Sequence, residues 1–176
     1  MKTMIITATS NPIGNTVKCA QALAKSLNAT VLSLDNYQIS FYDYQHKNKD
    51  DDFLAIAERM SQCDLIVYAS PVYWYAMSAQ MKVFFDRLSD LMTVRKPLGR
   101  KLKNIRNAVI STGAQACVPD CFVEPFKLTA EYFEMEFLGN FYLSMRQDTV
   151  RAEGDRLAHF IARVSTTLQQ RSVVCA

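Results

Sequence analysis

The sequence lacks the features that mark several large classes of protein. None of its apolar runs approaches the roughly 18 residues that a membrane-spanning helix requires. The formal net charge is only +3 and the basic residues are dispersed, which is too mild for a nucleic-acid-binding surface. The first residues lead directly into a strand-like segment without a signal-peptide pattern. We therefore expect a cytoplasmic protein with neither nucleic-acid nor membrane partners.

Cysteine and histidine are few and poorly placed for catalysis. The five cysteines, an odd number, are spread through the chain without the spacing of a disulfide framework, which agrees with a reducing compartment. The two histidines, His46 and His159, form no visible arrangement with Ser or Asp, so hydrolase chemistry lacks support. Cys117 and Cys121 can be read as a redox or metal pair. We favour apolar filler, because two thiols cannot complete a zinc site without partners.

Apolar residues are abundant and regularly arranged. With 176 residues, 49% of them hydrophobic and 21% charged, the chain is predicted to form one domain over residues 1–176. Short β-rich runs alternate with segments of helical period. The predicted strands cover residues 3–8, 30–34, 65–69, 107–112 and 136–143. Strands that alternate with helices in this way predict an α/β fold with an open parallel sheet, doubly wound, with helices on both faces.

The connection after the third predicted strand is unusual because it contains Tyr73, Trp74 and Tyr75 in succession. A loop normally runs over the surface in contact with water, so three aromatic side chains there favour a flat ligand that covers them. A helix is predicted next, from apolar residues at helical spacing. These are Met81, Phe84, Phe85, Leu88, Leu91 and Met92. The stretch predicts a site for a planar aromatic ligand.

The connection after the first predicted strand, residues 9–16, is rich in hydrogen-bond donors. A helix that begins near Asn15 would add a dipole that favours negative charge, and Gly14 would give the backbone freedom to turn its N–H groups toward a phosphate. The candidate side-chain donors are Thr9, Ser10, Asn15 and Thr16. The same residue types also form ordinary helix caps, and neither the Walker nor the dinucleotide glycine pattern is present. Phosphate binding and a plain cap therefore both remain open at this point.

These two connections are predicted to meet. In open parallel sheets, ligands bind beyond the C-terminal ends of the strands where the strand order reverses. In the flavodoxin-like order 2-1-3-4-5, that point lies between the first and third strands, which are the strands that the two unusual connections follow. We therefore expect residues 9–16 and 71–75 to form one site.

Three further features have structural readings. The acidic residues 50–52 are interpreted as a helix start rather than a metal site. Asp86 and Arg87 are read as a structural ion pair rather than as catalytic groups. The basic residues 95–103 are read as a solvated face, with attraction of dinucleotide phosphates as the weaker alternative. Pro125 is placed in the first turn of a helix whose inner side carries Phe126, Tyr132 and Phe133.

Specific motifs now suggest a family. Ser70-Pro71-Val72-Tyr73-Trp74, with residues 78–82 and 85–87, resembles the NADPH-dependent FMN reductase and flavodoxin-like quinone reductase superfamily, including multimeric flavoproteins that often carry an iron–sulfur cluster. Residues 14–16 match the end of the family's phosphate loop less closely. The resemblance implies bound FMN, with its phosphate at residues 9–16, its isoalloxazine ring against 71–75 and the far edge of the ring near 112–114. The implied cofactor-binding residues are Thr9, Ser10, Asn11, Ile13, Gly14, Asn15, Thr16, Pro71, Val72, Tyr73, Trp74, Tyr75, Thr112, Gly113 and Ala114.

The sequence departs from this family at two points. Where iron–sulfur members carry closely spaced cysteines, this chain has Phe41-Tyr42-Asp43-Tyr44, which cannot ligate a cluster. Family phosphate loops commonly carry an arginine at the position of Asn11. Phosphate affinity would then depend on hydroxyl and backbone groups, with help from Lys18.

The resemblance implies an oxidoreductase in which NADPH or NADH reduces FMN, leaves, and is replaced by a quinone, azo or nitro compound or free flavin. Backbone N–H groups of residues 72–75 are expected to donate to the flavin, and no catalytic residue is assigned. An electron carrier that docks to a protein partner without using NAD(P)H is one alternative, and a flavin-free binding module is another. Aromatic residues in the connection 35–49 favour a homodimer in which a neighbour helps to close each flavin site.

Overall fold

The computed structural model, which describes residues 1–145 and 153–170, contains one sheet of five parallel strands in the order β2-β1-β3-β4-β5. The elements in chain order are β1 Thr3–Thr7, α1 Asn15–Leu27, β2 Thr30–Ser33, a 3-10 turn Leu34–Asn36, α2 Phe53–Met60, β3 Leu65–Pro71, α3 Ala79–Arg87, a 3-10 turn Leu88–Leu91, α4 Lys96–Arg100, β4 Arg106–Gly113, α5 Asp120–Tyr132, β5 Glu136–Ser144 and α6 Glu153–Gln170. The flavodoxin-like prediction of fold and strand order is confirmed.

The central strands are apolar on both sides because helices cover both faces of the sheet. In β1, Met4 and Ile6 join a cluster with residues of α2, α3 and α5, whereas Ile5 joins the opposite cluster with residues of α1 and α6. All five residues of β1 and all seven of β3 are buried. Such strands read as continuous apolar runs rather than as alternating patterns, which is why they were recognisable in the sequence.

The C-terminal end of α1 follows its local sequence. Asn28 ends α1 in the left-handed conformation, with φ 51°, and the residue after it donates to the Ala24 carbonyl. In α6, Phe160, Ile161, Val164 and Leu168 are buried against the α1 side of the sheet. From the sequence, the tail after Gln170 is expected to be frayed, and these residues lie outside those described. Within residues 1–145 and 153–170, no helix is long and apolar enough to span a bilayer.

The prediction for the helix around Pro125 was wrong at its start. α5 begins five residues earlier, at Asp120, an acidic residue that suits the first turn of a helix, so Pro125 lies inside the helix. Proline there removes one intrahelical hydrogen bond, which the packing of buried Phe122 and Phe126 offsets. Tyr132 was also misplaced, because its side chain is 67% exposed, while Phe133 is buried as expected.

Arg87 holds the long connection between β2 and α2. Its side chain is only 1% exposed, and it donates to the carbonyls of Ser40 at 3.1 Å and Asn48 at 3.0 Å. Its charge is balanced by two carboxylates, Asp51 and Asp90, the latter at 2.8 Å from Nε. Asp90 also contacts His46 Nδ1 at 2.9 Å. One buried guanidinium therefore joins α3 to a connection that has little regular structure of its own.

These contacts correct two expectations. Arg87 is structural, as predicted, but its partners are not Asp86, which instead pairs with Lys82 on the surface. Within the acidic triplet, Asp51 does accept from the Phe53 N–H at the start of α2, but it also pairs with Arg87. Burial by itself would raise the pKa of Asp51, yet hydrogen bonds from Arg87 and from backbone N–H groups outweigh burial and lower that pKa.

Replacing Arg87 tests this arrangement. Arg87→Met should lower the free energy of unfolding by about 3–5 kcal/mol, because it leaves two largely buried carboxylates without their cation. The control Lys82→Met removes an exposed ion pair and should change it by less than about 1 kcal/mol. Urea denaturation of both variants measures the difference. Equal, small effects would show that Arg87 does not hold this connection.

Candidate functional site

The predicted site lies at the edge of the sheet where β1, β3 and β4 end. The parallel register pairs Thr7 with Ala69, and Ala69 in turn with Ile110, so the connections that follow these strands leave the sheet side by side. This edge therefore brings together the residues after β1, the aromatic residues after β3 and the turn after β4. The strand order predicted that the first two of these connections meet, and the family resemblance implied the third.

Direct hydrogen bonds join the three connections. The hydroxyl oxygens of Thr16 and Thr112 lie 2.7 Å apart in a buried contact between α1 and the end of β4. The N–H of Val72 donates to the Thr112 carbonyl at 2.9 Å. The Ser78 hydroxyl, at the start of α3, donates to the Ala8 carbonyl at 2.8 Å. Each connection is thus attached to another through buried polar groups.

Ser78 and Ser70 fix both ends of the aromatic loop. Ser70 Oγ accepts from the Ser78 N–H at 2.9 Å, and Ser78 Oγ accepts from the Met81 N–H at 3.3 Å as the N-cap of α3. Both serines are fully buried. Their motifs were recognised in the sequence, but their positioning role was not. A buried serine pair has no sequence signal that separates it from other serines.

The connection from Thr9 to Gly14 is shaped by Asn11. Asn11 Oδ1 accepts from the Ile13 N–H at 3.1 Å, and its carbonyl accepts from the Gly14 N–H at 3.0 Å. A Cβ on Gly14 would lie 3.1 Å from the Asn11 carbonyl oxygen. Gly14 has extended backbone, with φ −73° and ψ 173°, so its value here is space rather than the conformational freedom we expected.

At the N-terminus of α1, the first backbone N–H groups have no acceptor among the residues that the structure describes. Asn15, Thr16 and Val17 are the first helical residues, so their N–H groups have no carbonyl one turn earlier in the helix. The N-cap residue is Gly14, which has no side chain to accept from them. The first turn contains no acidic residue. Of the predicted side-chain donors, Ser10 is exposed and Asn15 half-buried, whereas Thr9 and Thr16 are buried. The plain-cap reading is thus unsupported, and this end of the helix is suited to an anion.

Trp74 and Tyr75 form a two-residue hairpin turn, and Tyr73 directly precedes it. Tyr73 and Ala76 exchange two backbone hydrogen bonds, at 2.9 and 3.0 Å, around Trp74 and Tyr75. Both central residues have positive φ, 49° and 67°, as in a type I′ turn that normally contains Asn-Gly. The Trp74 side chain is 93% exposed. Such backbone strain in bulky residues suggests a functional role for the turn.

The hairpin also limits which backbone groups are available to a ligand. The N–H groups of Val72 and Tyr73 are already bonded to the carbonyls of Thr112 and Ala76. Of the backbone N–H groups of residues 72–75 that were expected to donate to the flavin, two are thus already engaged within the protein. Trp74 and Tyr75 retain N–H groups that make no hydrogen bond to the described residues.

Tyr142 belongs to this region but was missed in the sequence. It pairs with Ser111 in the register of β5 on β4, and its hydroxyl donates to the Gln115 carbonyl at 2.9 Å. A Cβ on Gly113 would lie 2.8 Å from the Tyr142 hydroxyl and 3.4 Å from Val72 Cβ. Glycine therefore permits the side chains of Tyr142 and Val72 to approach the end of β4. Burial is the main cause that raises the pKa of Tyr142. Its phenol is protonated at neutral pH.

Two other sequence interpretations need correction. Cys117 and Cys121 are exposed rather than packed as apolar filler, because they lie at the turn before α5 and at its first residues. Cys121 Sγ lies 3.6 Å from the Tyr75 carbonyl. Residues 95–103 precede β4 and therefore lie at the opposite end of the sheet from the predicted site. Most of these residues are exposed, which confirms the prediction of a solvated face. The alternative, that they attract phosphates to the predicted site, was wrong because they lie at the other end of the sheet.

The fold and the geometry of the site together define a flavodoxin-like protein. The N-terminus of α1, which is suited to an anion, lies beside an aromatic loop. The model of the NADPH-dependent FMN reductase family matches residues 1–120. The chain belongs to this family. FMN is accordingly the cofactor of its class, and the family predicted from the sequence is confirmed.

One curated relative is similar to this chain in sequence, and several solved structures share its fold. The chain is 33% identical over 103 residues to the "Putative NAD(P)H-dependent FMN-containing oxidoreductase YwqN" of Bacillus subtilis (strain 168), a match over 55% of this chain and 56% of the relative. The match therefore spans about half of that relative's length. Among solved structures, the Trp repressor binding protein of Bacillus subtilis has a TM-score of 0.69 at 22% identity, covering 91% of this chain and 96% of that one. General stress protein 14 of Treponema denticola, in complex with FMN, has a TM-score of 0.66 at 20% identity, covering 95% and 99%.

Tyr75→Gly tests the strain in the turn. Glycine adopts positive φ without steric cost, so the substitution should raise the free energy of unfolding by about 1 kcal/mol. Tyr73→Gly is the matched control, because Tyr73 has no positive φ and glycine there should destabilise the protein. Thermal unfolding distinguishes the two variants. A loss of stability in both would show that the Tyr75 conformation carries no strain.

Proposed function

We propose that this protein is an FMN-dependent NAD(P)H oxidoreductase that reduces small acceptors such as quinones, azo or nitro compounds or free flavin. One observation carries the proposal: the N-terminus of α1 and the strained aromatic turn are attached to each other. The hydrogen bonds that attach them involve Ala8, Thr112 and Ser78. A phosphate site and an aromatic surface at one sheet edge suit a ligand that is anionic at one end and flat at the other.

The residues present fit FMN. The uncapped N–H groups at Asn15 and Thr16, with the exposed Ser10 hydroxyl, supply donors for a phosphate. Tyr73 and Trp74 expose large aromatic surface that a planar ring would cover. Bound FMN supplies the hydride and electron transfer of this class.

The chain's own residues then perform binding and positioning. Trp74 and Tyr75 offer backbone N–H groups that favour negative charge on a bound ring. Gly113 admits Tyr142 to the edge of the site, where the phenol donates its one proton to the Gln115 carbonyl and so attaches β5 to the turn after β4. Thr16 and Thr112 have their hydroxyls paired with each other, so their contribution is to hold α1 against β4. The other predicted cofactor-binding residues stay predictions.

The nicotinamide donor and the acceptor are proposed to use the same exposed face in turn. One aromatic turn offers one stacking surface, so the donor and the acceptor are expected to occupy it one after the other. Initial rates at several concentrations of both substrates should give parallel double-reciprocal lines. Converging lines would show a ternary complex and contradict this order of exchange.

A homodimer is proposed to shield the site. Phe41, Tyr44 and Trp74 expose more than three quarters of their side chains on connections that follow β2 and β3 at the same sheet edge. Large exposed aromatic residues are typical of interfaces. Gel filtration should give a dimer, and a monomer that retains its flavin would contradict the proposal. A cytoplasmic location also stays a prediction.

The cofactor is tested by comparing FMN with riboflavin, which lacks the phosphate. The α1 terminus should make FMN bind about tenfold or more tightly, since a charge-assisted set of hydrogen bonds is lost with riboflavin. Calorimetry on the flavin-free protein measures both affinities. Equal affinities would remove α1 from the site.

The reaction is tested by adding NADPH to the FMN-loaded protein without oxygen. Bleaching of the visible flavin bands supports the reductase, and the acceptor classes can then be screened by their ability to restore colour. Bands that persist with both NADPH and NADH would favour an electron carrier instead. A protein that takes up no FMN would be a flavin-free module, which overturns the proposal.

A further inference from the structure

An apolar groove lies at the end of the sheet opposite the cofactor edge. One wall is the segment from Leu88 to Arg100, which precedes β4, and the other is the second half of α5, which precedes β5. Because both walls lie before the strands begin, the groove is at the N-terminal ends of the strands. It is therefore separate from the proposed FMN site.

The groove consists of two adjoining cavities of about 300 and 410 Å³ that share Met92, Tyr132 and Phe133. Their sizes fall within the range of small-molecule sites. Three of the lining side chains are large, apolar and exposed, namely Tyr132 at 67%, Leu128 at 55% and Met92 at 37%. Two apolar cavities that share lining residues suit a flexible hydrocarbon chain, which can bend from one into the other.

The two ends of the groove differ in charge. The larger cavity is lined by apolar and hydroxyl-bearing residues, including Leu88 and Leu128. The smaller one contains the basic residues Lys96, Arg100 and Lys103. Lys103 is neutralised by Glu134 at 2.6 Å, but within residues 1–145 and 153–170 neither Lys96 nor Arg100 has an ion-pair partner. An apolar trough thus ends beside two unpaired cations.

The wall that carries these cations depends on Gly99. A Cβ at this position would lie 2.4 Å from the Leu91 carbonyl oxygen, so glycine allows α4 to lie directly against the preceding turn. This close approach brings Lys96 and Arg100, on α4, to the rim of a groove whose floor includes Leu91. The structure thus places three of the basic residues between 95 and 103 beside an apolar groove, which their composition alone did not indicate.

We propose that this groove binds a fatty-acid-type carboxylate, with its chain along the apolar cavity and its carboxylate beside Lys96 and Arg100. Charge complementarity and the apolar-to-basic gradient select this occupant over an uncharged apolar compound. The site is independent of the proposed oxidoreductase activity and needs no electron transfer.

Calorimetric titration of the full chain with decanoate tests the proposal, with FMN added to saturation so that the cofactor edge is occupied. Saturable binding of one decanoate per chain is expected, and 1-decanol, which has no charge, should bind more weakly. Lys96→Gln/Arg100→Gln should weaken decanoate binding by about fivefold, as expected for the loss of two rim cations. Leu128→Ser should also weaken it. The control Lys127→Gln changes an exposed lysine of the same helix outside the groove and should stay within about twofold of the unmodified chain.

Three results would overturn the proposal. One is non-saturable, detergent-like uptake of decanoate. Another is unchanged affinity in the double charge variant. The last is decanoate that converts an oligomer into monomers in gel filtration, which would assign the groove to a second copy of this chain. All three readouts are independent of NADPH oxidation, so failure here is distinguishable from failure of the proposed function.

Discussion

The parallel pairing of β1, β3 and β4 is the constraint on which the site depends. Because these strands run side by side in register, the connections that follow them must emerge at one edge of the sheet. Buried hydrogen bonds then fix the distances among these connections, as between the Thr16 and Thr112 hydroxyls. Without that register, the donor-rich loop and the aromatic loop would be two unrelated features of the surface.

Rigidity around this edge is supplied by groups that do not face a ligand. Ser78 is both the cap of α3 and the donor to Ala8, so the start of that helix cannot move without disturbing the first connection. Arg87, at the other end of the same helix, binds the connection before α2. One short helix therefore anchors two of the connections at the cofactor edge. Preorganised binding sites typically have ligand-contacting residues that buried hydrogen bonds hold in place.

The sequence was sufficient for the fold because its apolar runs were short, buried and separated by helical patterns. It also located the aromatic turn, since three successive aromatic residues in a loop are rare for any other reason. It was insufficient for Tyr142 and for the partners of Arg87. The contact of Tyr142 with Gln115 and the contacts of Arg87 with Ser40, Asn48 and Asp51 join segments that are distant in the sequence, which leaves no mark on local spacing. The start of α5 was misread because proline inside a helix is less common than proline in its first turn.

The same limits apply to what the aromatic turn does. Sequence spacing indicated a flat ligand, but the positive φ values of Trp74 and Tyr75 became visible only in the structure. That conformation leaves the N–H groups of these two residues, rather than those of Val72 and Tyr73, as donors. It also holds the Trp74 side chain away from the protein core. Strain and exposure in one turn are difficult to explain by folding stability, which both of them reduce.

Trp74 is the single tryptophan of the chain, so its fluorescence reports on this turn alone. The most direct measurement is a titration of the flavin-free protein with FMN, in which tryptophan emission is followed together with the amount of FMN bound. The account predicts saturable quenching that ends at one FMN per chain, because the flavin ring lies against the turn. FMN that binds while the emission of Trp74 stays unchanged would place the cofactor elsewhere and contradict the assignment of this edge as the flavin site.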